Sequence, residues 1–273
     1  MDLAPLCRTI RRDVLTMTHA AGSGHPGGSL SAVEILATLY CGVLSVDPAR
    51  PDDPDRDRFL LSKGHAAPVL YSVLARRGFF DPALLPTLRQ FGSPLQGHPH
   101  MGRLPGLDCS SGSLGQGLSI ANGLAMAARR TGRSYRTYCL MGDGEIQEGQ
   151  VWEAAMFAGN HGLDNLCLVV DHNRLQIDGS NEEVNSPMPI ADKFRAFKFN
   201  VIEVADGNDM AQVREAFQAA RAHKGGPTCI VAETVKGKGV SFMEDQVGWH
   251  GKAPNDEQYA QAMAELEAAG KEL

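Results

Sequence analysis

Leu3, Leu6, Ile10, Val14 and Leu15 recur at helical spacing and predict a first helix over 3–20. Residues 22–28 carry four glycines and read as a loop too glycine-rich to be helical. Ser29 is placed to cap a second helix over 30–43. The charged, proline-bearing stretch 47–57 reads as a solvated loop, and 58–61 as a short strand ending at Ser62-Lys63-Gly64-His65. Helices are predicted over 66–77, stopped by Gly78, and over 82–91, followed by a long loop over 92–112. The pattern then becomes regular. Helix 114–130, strand 135–141, helix 148–160 and strand 165–171 lead into a polar loop over 172–189. Helix 190–197, strand 200–205, helix 209–223 and strand 228–233 follow, then a loop rich in lysine and glycine to 254 and a charged C-terminal helix. Strands alternating with helices imply an α/β fold, a mainly parallel sheet flanked by helices, with strand order left open.

Composition narrows the function classes. The 273 residues hold 26 Lys and Arg against 32 Asp and Glu, a formal charge of −6. Nucleic acid and anionic membranes need a basic face, so neither is an expected partner. Glycine is high, 30 residues or roughly 11% against a usual ~7%, with no repeat, which suits turns and close backbone approach to ligands. No apolar run approaches a membrane span, and the first residues lack the apolar stretch of a signal peptide. Cys7, Cys41, Cys109, Cys139, Cys167 and Cys229 form no CxxC pair and mostly lie in apolar runs. They read as buried thiols in a reducing compartment, which makes the expected location cytoplasmic.

The strongest chemical signal is Gly142-Asp143-Gly144 at the end of one apolar strand and Asp171-His172-Asn173 at the end of the next. Asp143 and Asn173 lie 30 residues apart, about one βαβ unit, whose parallel strands end on the same sheet edge. A carboxylate and an amide oxygen can therefore converge. Both are hard donors of the kind Mg²⁺ or Ca²⁺ takes. Gly144 leaves backbone amides open to phosphate, and the following helix adds its positive end. Together these residues describe a magnesium-diphosphate site.

From Gly142-Asp143-Gly144-Glu145 to Asn173-Arg174-Leu175 the chain resembles the thiamine-diphosphate signature. Further segments resemble transketolases: Gly24-His25-Pro26-Gly27, Ser62-Lys63-Gly64-His65-Ala66, Gly97-His98-Pro99, Gly112-Ser113-Leu114-Gly115-Gln116-Gly117, and Lys236-Gly237-Lys238-Gly239 with Trp249-His250-Gly251-Lys252. The resemblance covers about residues 5–255, in the family's order. It implies the thiamine-diphosphate-binding fold, with residues 1–273 forming one pyrophosphate-binding domain. It also implies thiamine diphosphate and Mg²⁺ (or Ca²⁺) as cofactors, and transfer of a two-carbon ketol unit from a ketose to an aldose.

Roles follow from the resemblance, residue by residue. Asp143 and Asn173 bind the metal by side chain and Leu175 by its carbonyl. Gly144, His65, Lys236 and His250 contact the cofactor, and Gly112 and Leu114 meet its aminopyrimidine through backbone groups. His25, His98 and His250 face the substrate, where an imidazole can move protons near neutral pH. Glu148 lies in a carboxylate relay linking active sites across a dimer, whereas the residues alone also allow Glu148 and Glu153 to form an exposed polar face of the helix after Gly142-Asp143-Gly144. Gly28 stands where some relatives carry a serine. His100 has no clear counterpart and reads as a loop residue, as do His19, His161, His172 and His223.

Ordinary transketolases continue into a pyrimidine-binding and a C-terminal domain. The chain thus resembles the N-terminal subunit of a split transketolase, silent alone and expected in an α2β2 assembly with a subunit that carries both missing domains. Sugar phosphates are the implied substrates. Two alternatives stay open: a subunit of an enzyme for an unusual sugar, sulfonated, branched or deoxy, and a non-catalytic thiamine-diphosphate-binding module that regulates a partner.

Overall fold

A computed structural model describes residues 3–270. The sheet has five strands, β1 (Arg58–Leu61), β2 (Thr137–Gly142), β3 (Leu166–His172), β4 (Asn200–Val204) and β5 (Thr228–Glu233), in the order β1-β2-β3-β5-β4. Every pairing is parallel, so every strand ends on one edge. β2 and β3 are buried throughout, which is why they read as continuous apolar runs rather than alternating ones.

Strand side chains alternate between two cores, as the period of two requires. Tyr138, Leu140, Cys167, Val169 and Ile230 join one core. It is closed by α1 (Ala4–Ala21), α3 (Val33–Thr38), α4 (Ala67–Arg76), α9 (Met210–Ala222) and α10 (Asp256–Ala268). Cys139, Met141, Leu168, Val170 and Cys229 join the other, under α5 (Gly117–Arg130), α6 (Gly149–Asn160) and α8 (Ile190–Ala196). The chain steps across the sheet from β1 to β3 and on to β4, then turns back to β5. A right-handed crossover that reverses direction must put its helix on the opposite face. α9, between β4 and β5, accordingly lies opposite α6 and α8. All six cysteines are free, and four of them are buried.

The structure corrects several sequence readings. Residues 22–28 are not wholly a loop, because α2 (Pro26–Leu30) begins with Pro26 at its first turn. Its glycines serve close approach: a Cβ on Gly27 would stand 2.8 Å from the Trp249 carbonyl oxygen. Ser29 caps nothing further on. It lies inside α2 and its Oγ donates to the His25 carbonyl (2.8 Å). The helix read from residue 114 starts at Gly117, since Gly112 (φ 139°) and Gly115 (φ 81°) hold the preceding chain out of helical geometry. Within 172–189 a short helix, α7 (Asn181–Asn185), was missed. Its Ser180–Glu183 capping box was legible as S-x-x-E.

The two-sided packing sets a test. Gly159 brings α6 against the backbone beyond α8, where an added Cβ would stand 1.8 Å from the Phe197 carbonyl oxygen. Gly159→Ala must part α6 from the segment that follows α8, and should cost about 1–3 kcal/mol as a lowered urea midpoint. An unchanged midpoint would contradict this packing.

Candidate active site

The ends of β1, β2, β3 and β5 meet around one cleft. Its lining includes Lys63, His65, Asp143, Asn173, Lys236 and His250, together with Gly28, Leu114, Gly144, Leu175 and Gln176. β2 and β3 are in register at Gly142 and Asp171, which puts Asp143 beside the turn that carries Asn173.

Asp143 is buried, and among the described residues no cationic side chain pairs with it. Its Oδ1 accepts from the Gly144 N–H (2.8 Å) and its Oδ2 from the Arg174 N–H (2.5 Å). Burial, and then the nearby Asp171 carboxylate, push its pKa up. Asn173 is buried too; its Oδ1 accepts from the Leu175 N–H (3.2 Å). Arg174, between them, takes the left-handed conformation (φ 67°) that turns the Leu175 carbonyl towards Lys236, whose Nζ donates to it (2.9 Å). No three His, Cys, Asp or Glu side chains among the described residues gather around a metal-sized point. The cleft instead offers one carboxylate, one amide oxygen and one carbonyl. A hard divalent cation suits that set, provided an anionic ligand supplies further oxygens. A buried, unpaired carboxylate and the unpartnered buried Nε2 of Gln176 both fit such a group.

Above this floor four imidazoles cluster. Ring centroids lie 5.2 Å apart for His25 and His65, 5.1 Å for His65 and His250, 5.6 Å for His25 and His250, and 6.4 Å for His25 and His98. Burial comes first in lowering each. It holds His25 at about 4, with Arg89, His98 and Lys236 adding to it, and His250 at about 3, with Lys236 adding to it. His65 is well below its usual value for the same reason, reinforced by Lys63, and His98 is lowered by burial and Arg89. All four rings are therefore neutral at pH 7, able to donate and accept. Lys236 is lowered by burial to about 8, and its Nζ lies 2.9 Å from His250 Nδ1.

Not every assigned residue reaches the cleft. The Gly144 N–H, assigned to phosphate, donates instead to Asp143, and α6 begins only at Gly149. Gly144 still borders the cleft closely, since a Cβ there would meet Gln176 Cβ at 3.1 Å. Gly112 backs His98, with a Cβ position 3.2 Å from its Cγ, while Leu114 lines the cleft itself. Glu148 is the N-cap of α6 rather than a helical residue, and both it and Glu153 are exposed in the single chain. The buried carboxylate of this stretch is Glu145. It accepts from Ser62 Oγ (2.5 Å), Gly115 N–H (2.9 Å) and Gly142 N–H (3.0 Å), and burial raises its pKa. His100 is a loop residue that bonds the Met101 carbonyl. His172 is buried and paired with Glu233 (2.6 Å), which also holds Arg174 (2.6 Å) and so steadies the turn that carries Asn173.

Two residues that carry the site had no role in the sequence reading. Lys63 and Asp171 form an ion pair whose side chains are 2% and 0% exposed. Lys63 Nζ also donates to the Gly28 carbonyl (2.7 Å), and Asp171 accepts from Ser31 Oγ (2.6 Å) and from Thr234 Oγ1. A charged residue ending an all-apolar strand, as Asp171 ends Leu166–Val170, was the available signal.

Asp143→Asn keeps the volume and one acceptor but removes the charge. Thiamine diphosphate binding in Mg²⁺ should weaken tenfold or more, about 1.4 kcal/mol per decade, by calorimetric titration. Unchanged affinity would show that Asp143 takes no part in binding.

Residues 4–271 match the family described as "Transketolase, thiamine diphosphate binding domain". The chain is 43% identical to a 6-deoxy-6-sulfo-D-fructose transketolase subunit from Clostridium sp. strain MSTE9, over 99% of this chain and 98% of that one. It is 41% identical to an apulose-4-phosphate transketolase subunit from Phocaeicola vulgatus, over 94% and 90%. Among solved structures, the transketolase of Leishmania mexicana superposes with a TM-score of 0.92 at 33% identity, over 98% of this chain and 41% of that one. Campylobacter jejuni transketolase does so with 0.92 at 32%, over 98% and 43%. The chain thus spans about two fifths of the solved enzymes but nearly the whole of the relatives named as subunits. It belongs to the transketolase family, as a transferase chain of the thiamine-diphosphate-binding kind.

Proposed function

We propose that this chain is the cofactor-binding subunit of a two-chain transketolase, moving a two-carbon ketol unit from a ketose to an aldose. The convergence of Asp143, Asn173, the Leu175 carbonyl, Lys236 and the neutral histidine cluster on one cleft carries the reading. Asp143, Asn173 and Leu175 would hold Mg²⁺ (or Ca²⁺). Lys236, His65 and His250 would donate to the diphosphate, Gly144 would border it, and Gly112 and Leu114 would meet the aminopyrimidine. Thiamine diphosphate, when bound, supplies the carbanion chemistry. His25, His98 and His250, neutral at pH 7, would hold and move protons at the sugar hydroxyls and carbonyl. A purely binding module would not need imidazoles around the cleft mouth.

The partner would be a chain with the pyrimidine-binding and C-terminal domains, as the relatives named as subunits suggest. Exposed apolar side chains support such a contact: Leu114 and Ile177 at the cleft, and Ile120, Met156 and Phe157 on α5 and α6. An α2β2 assembly would give the exposed Glu148 a second copy to face. Among the described residues no helix is long and apolar enough to cross a membrane, and six free thiols suit a cytoplasmic location. The donor would be a sugar phosphate. A sulfonated or branched sugar is the second reading, favoured by the names of the two relatives above.

The decisive assay mixes the chain, thiamine diphosphate, Mg²⁺ and a panel of ketose–aldose pairs, with and without a candidate pyrimidine-binding chain. Turnover is expected only with the partner; full turnover by the chain alone would overturn the two-chain reading. In the assembled enzyme His98→Ala should lower ketol transfer by about 10²–10⁴-fold and leave cofactor affinity unchanged. His65→Ala should weaken cofactor binding itself. Rescue of His98→Ala by excess cofactor would move that residue out of the substrate site.

A further inference from the structure

Arg89 lies outside every motif noted above, yet its exposed side chain reaches the histidine cluster. It adopts the left-handed conformation (φ 61°), unusual for a side chain of this size. Its N–H donates to the Leu95 carbonyl (2.9 Å), closing the loop on itself. The guanidinium reaches the edge of the histidine cluster, where Nη1 donates to Ser23 Oγ (2.7 Å) and Nη2 stands 3.5 Å from His25 Nδ1. Gly97 makes room for it. A Cβ there would stand 2.9 Å from Arg89 Nε and 3.1 Å from Cζ. Gly97 has no positive φ, so its missing side chain serves the guanidinium rather than the backbone.

A guanidinium has only donors and keeps its proton. Facing it, His25 Nδ1 must accept, and a neutral ring that accepts at Nδ1 carries its proton on Nε2. The Cδ2–Nε2 edge lies against Gly251, 3.5 Å from where a Cβ would be. We propose that Arg89 is the positioning residue of the histidine cluster: it fixes His25 as the neutral, Nε2-protonated ring, so that His25 meets substrate through a hydrogen-bond donor. The donor role rests on the ketol-transfer reading; the tautomer does not.

The other groups facing His25 are His98 from the 92–112 loop, His65 from the turn after β1, and Lys236 and His250 from the segment after β5. None is acidic, so nothing there favours the imidazolium. Burial and then Arg89 lower both His25 and His98, which agrees with the geometry.

The test is ¹⁵N–¹H correlation spectroscopy of the full chain with labelled histidine, the His25 signals being assigned through His25→Gln. At pH 7 His25 should be the Nε2-protonated tautomer. Arg89→Gln, which keeps an amide donor but loses the charge, should raise the His25 titration midpoint by about 1 pH unit. Arg89→Lys should leave it near the wild-type value. Gly97→Ala, which displaces the guanidinium, should shift it as Arg89→Gln does. An Nδ1-protonated ring at pH 7, or a midpoint unmoved in Arg89→Gln, would overturn the proposal. The spectra involve no turnover, so they succeed or fail independently of the reaction assigned to the cleft.

Discussion

The Lys63–Asp171 ion pair joins the segments from which the cleft is made. Asp171 lies in register with Gly142 of β2 on one side and Ala232 of β5 on the other. Its carboxylate also takes hydroxyl donors from Ser31 near α2 and Thr234 after β5. Lys63 comes from the end of β1 and adds the Gly28 carbonyl of α2. Burial alone would raise the Asp171 pKa, but Lys63 and the hydroxyl donors outweigh it and hold it below the usual range. Removing one member of such a pair leaves a buried charge alone, at about 3–5 kcal/mol. Two residues beyond Asp171, Asn173 leans on the same carboxylate through Nδ2 (3.4 Å).

This satisfied charge stands beside an unsatisfied one. Asp171 has a cation and two hydroxyls, whereas Asp143 has neutral donors, no cationic partner among the described residues, and a raised pKa. The contrast lies within one sheet edge: the paired carboxylate ties strands together, and the other lines the cleft with no cationic partner among the described residues. The imidazoles follow the same division. Around His25, His65 and His250 the charged neighbours, Arg89, Lys63 and Lys236, are all positive. A cluster so surrounded stays neutral and favours anionic ligands, which suits both a diphosphate and an anionic sugar.

Much of this was legible from local pattern. The strands declared themselves because parallel strands buried on both faces read as unbroken apolar runs, as in Tyr138–Met141 and Leu166–Val170. The Asp143 and Asn173 pairing was legible because the βαβ unit fixes where two strands end. What escaped depends on contacts between distant segments. Nothing near Lys63 in the chain shows that it meets Asp171, and nothing near Arg89 shows that it lies over Gly97 and beside His25. The short α2 escaped because its glycines look like loop residues until Trp249 and His65 are seen pressing on them. Glu148 was placed on a helix because only the structure shows that a 3₁₀ turn at Glu145–Gln147 delays α6.

The proposed role of this sheet edge is that of a metal-assisted diphosphate cradle. Calorimetric titration of the full wild-type chain with thiamine diphosphate and with thiamine, each in Mg²⁺ and in EDTA, tests it most directly. Thiamine diphosphate should bind in Mg²⁺ and little or not at all in EDTA, and thiamine should bind in neither. Equal affinity for thiamine, or binding of the diphosphate that EDTA leaves untouched, would contradict it.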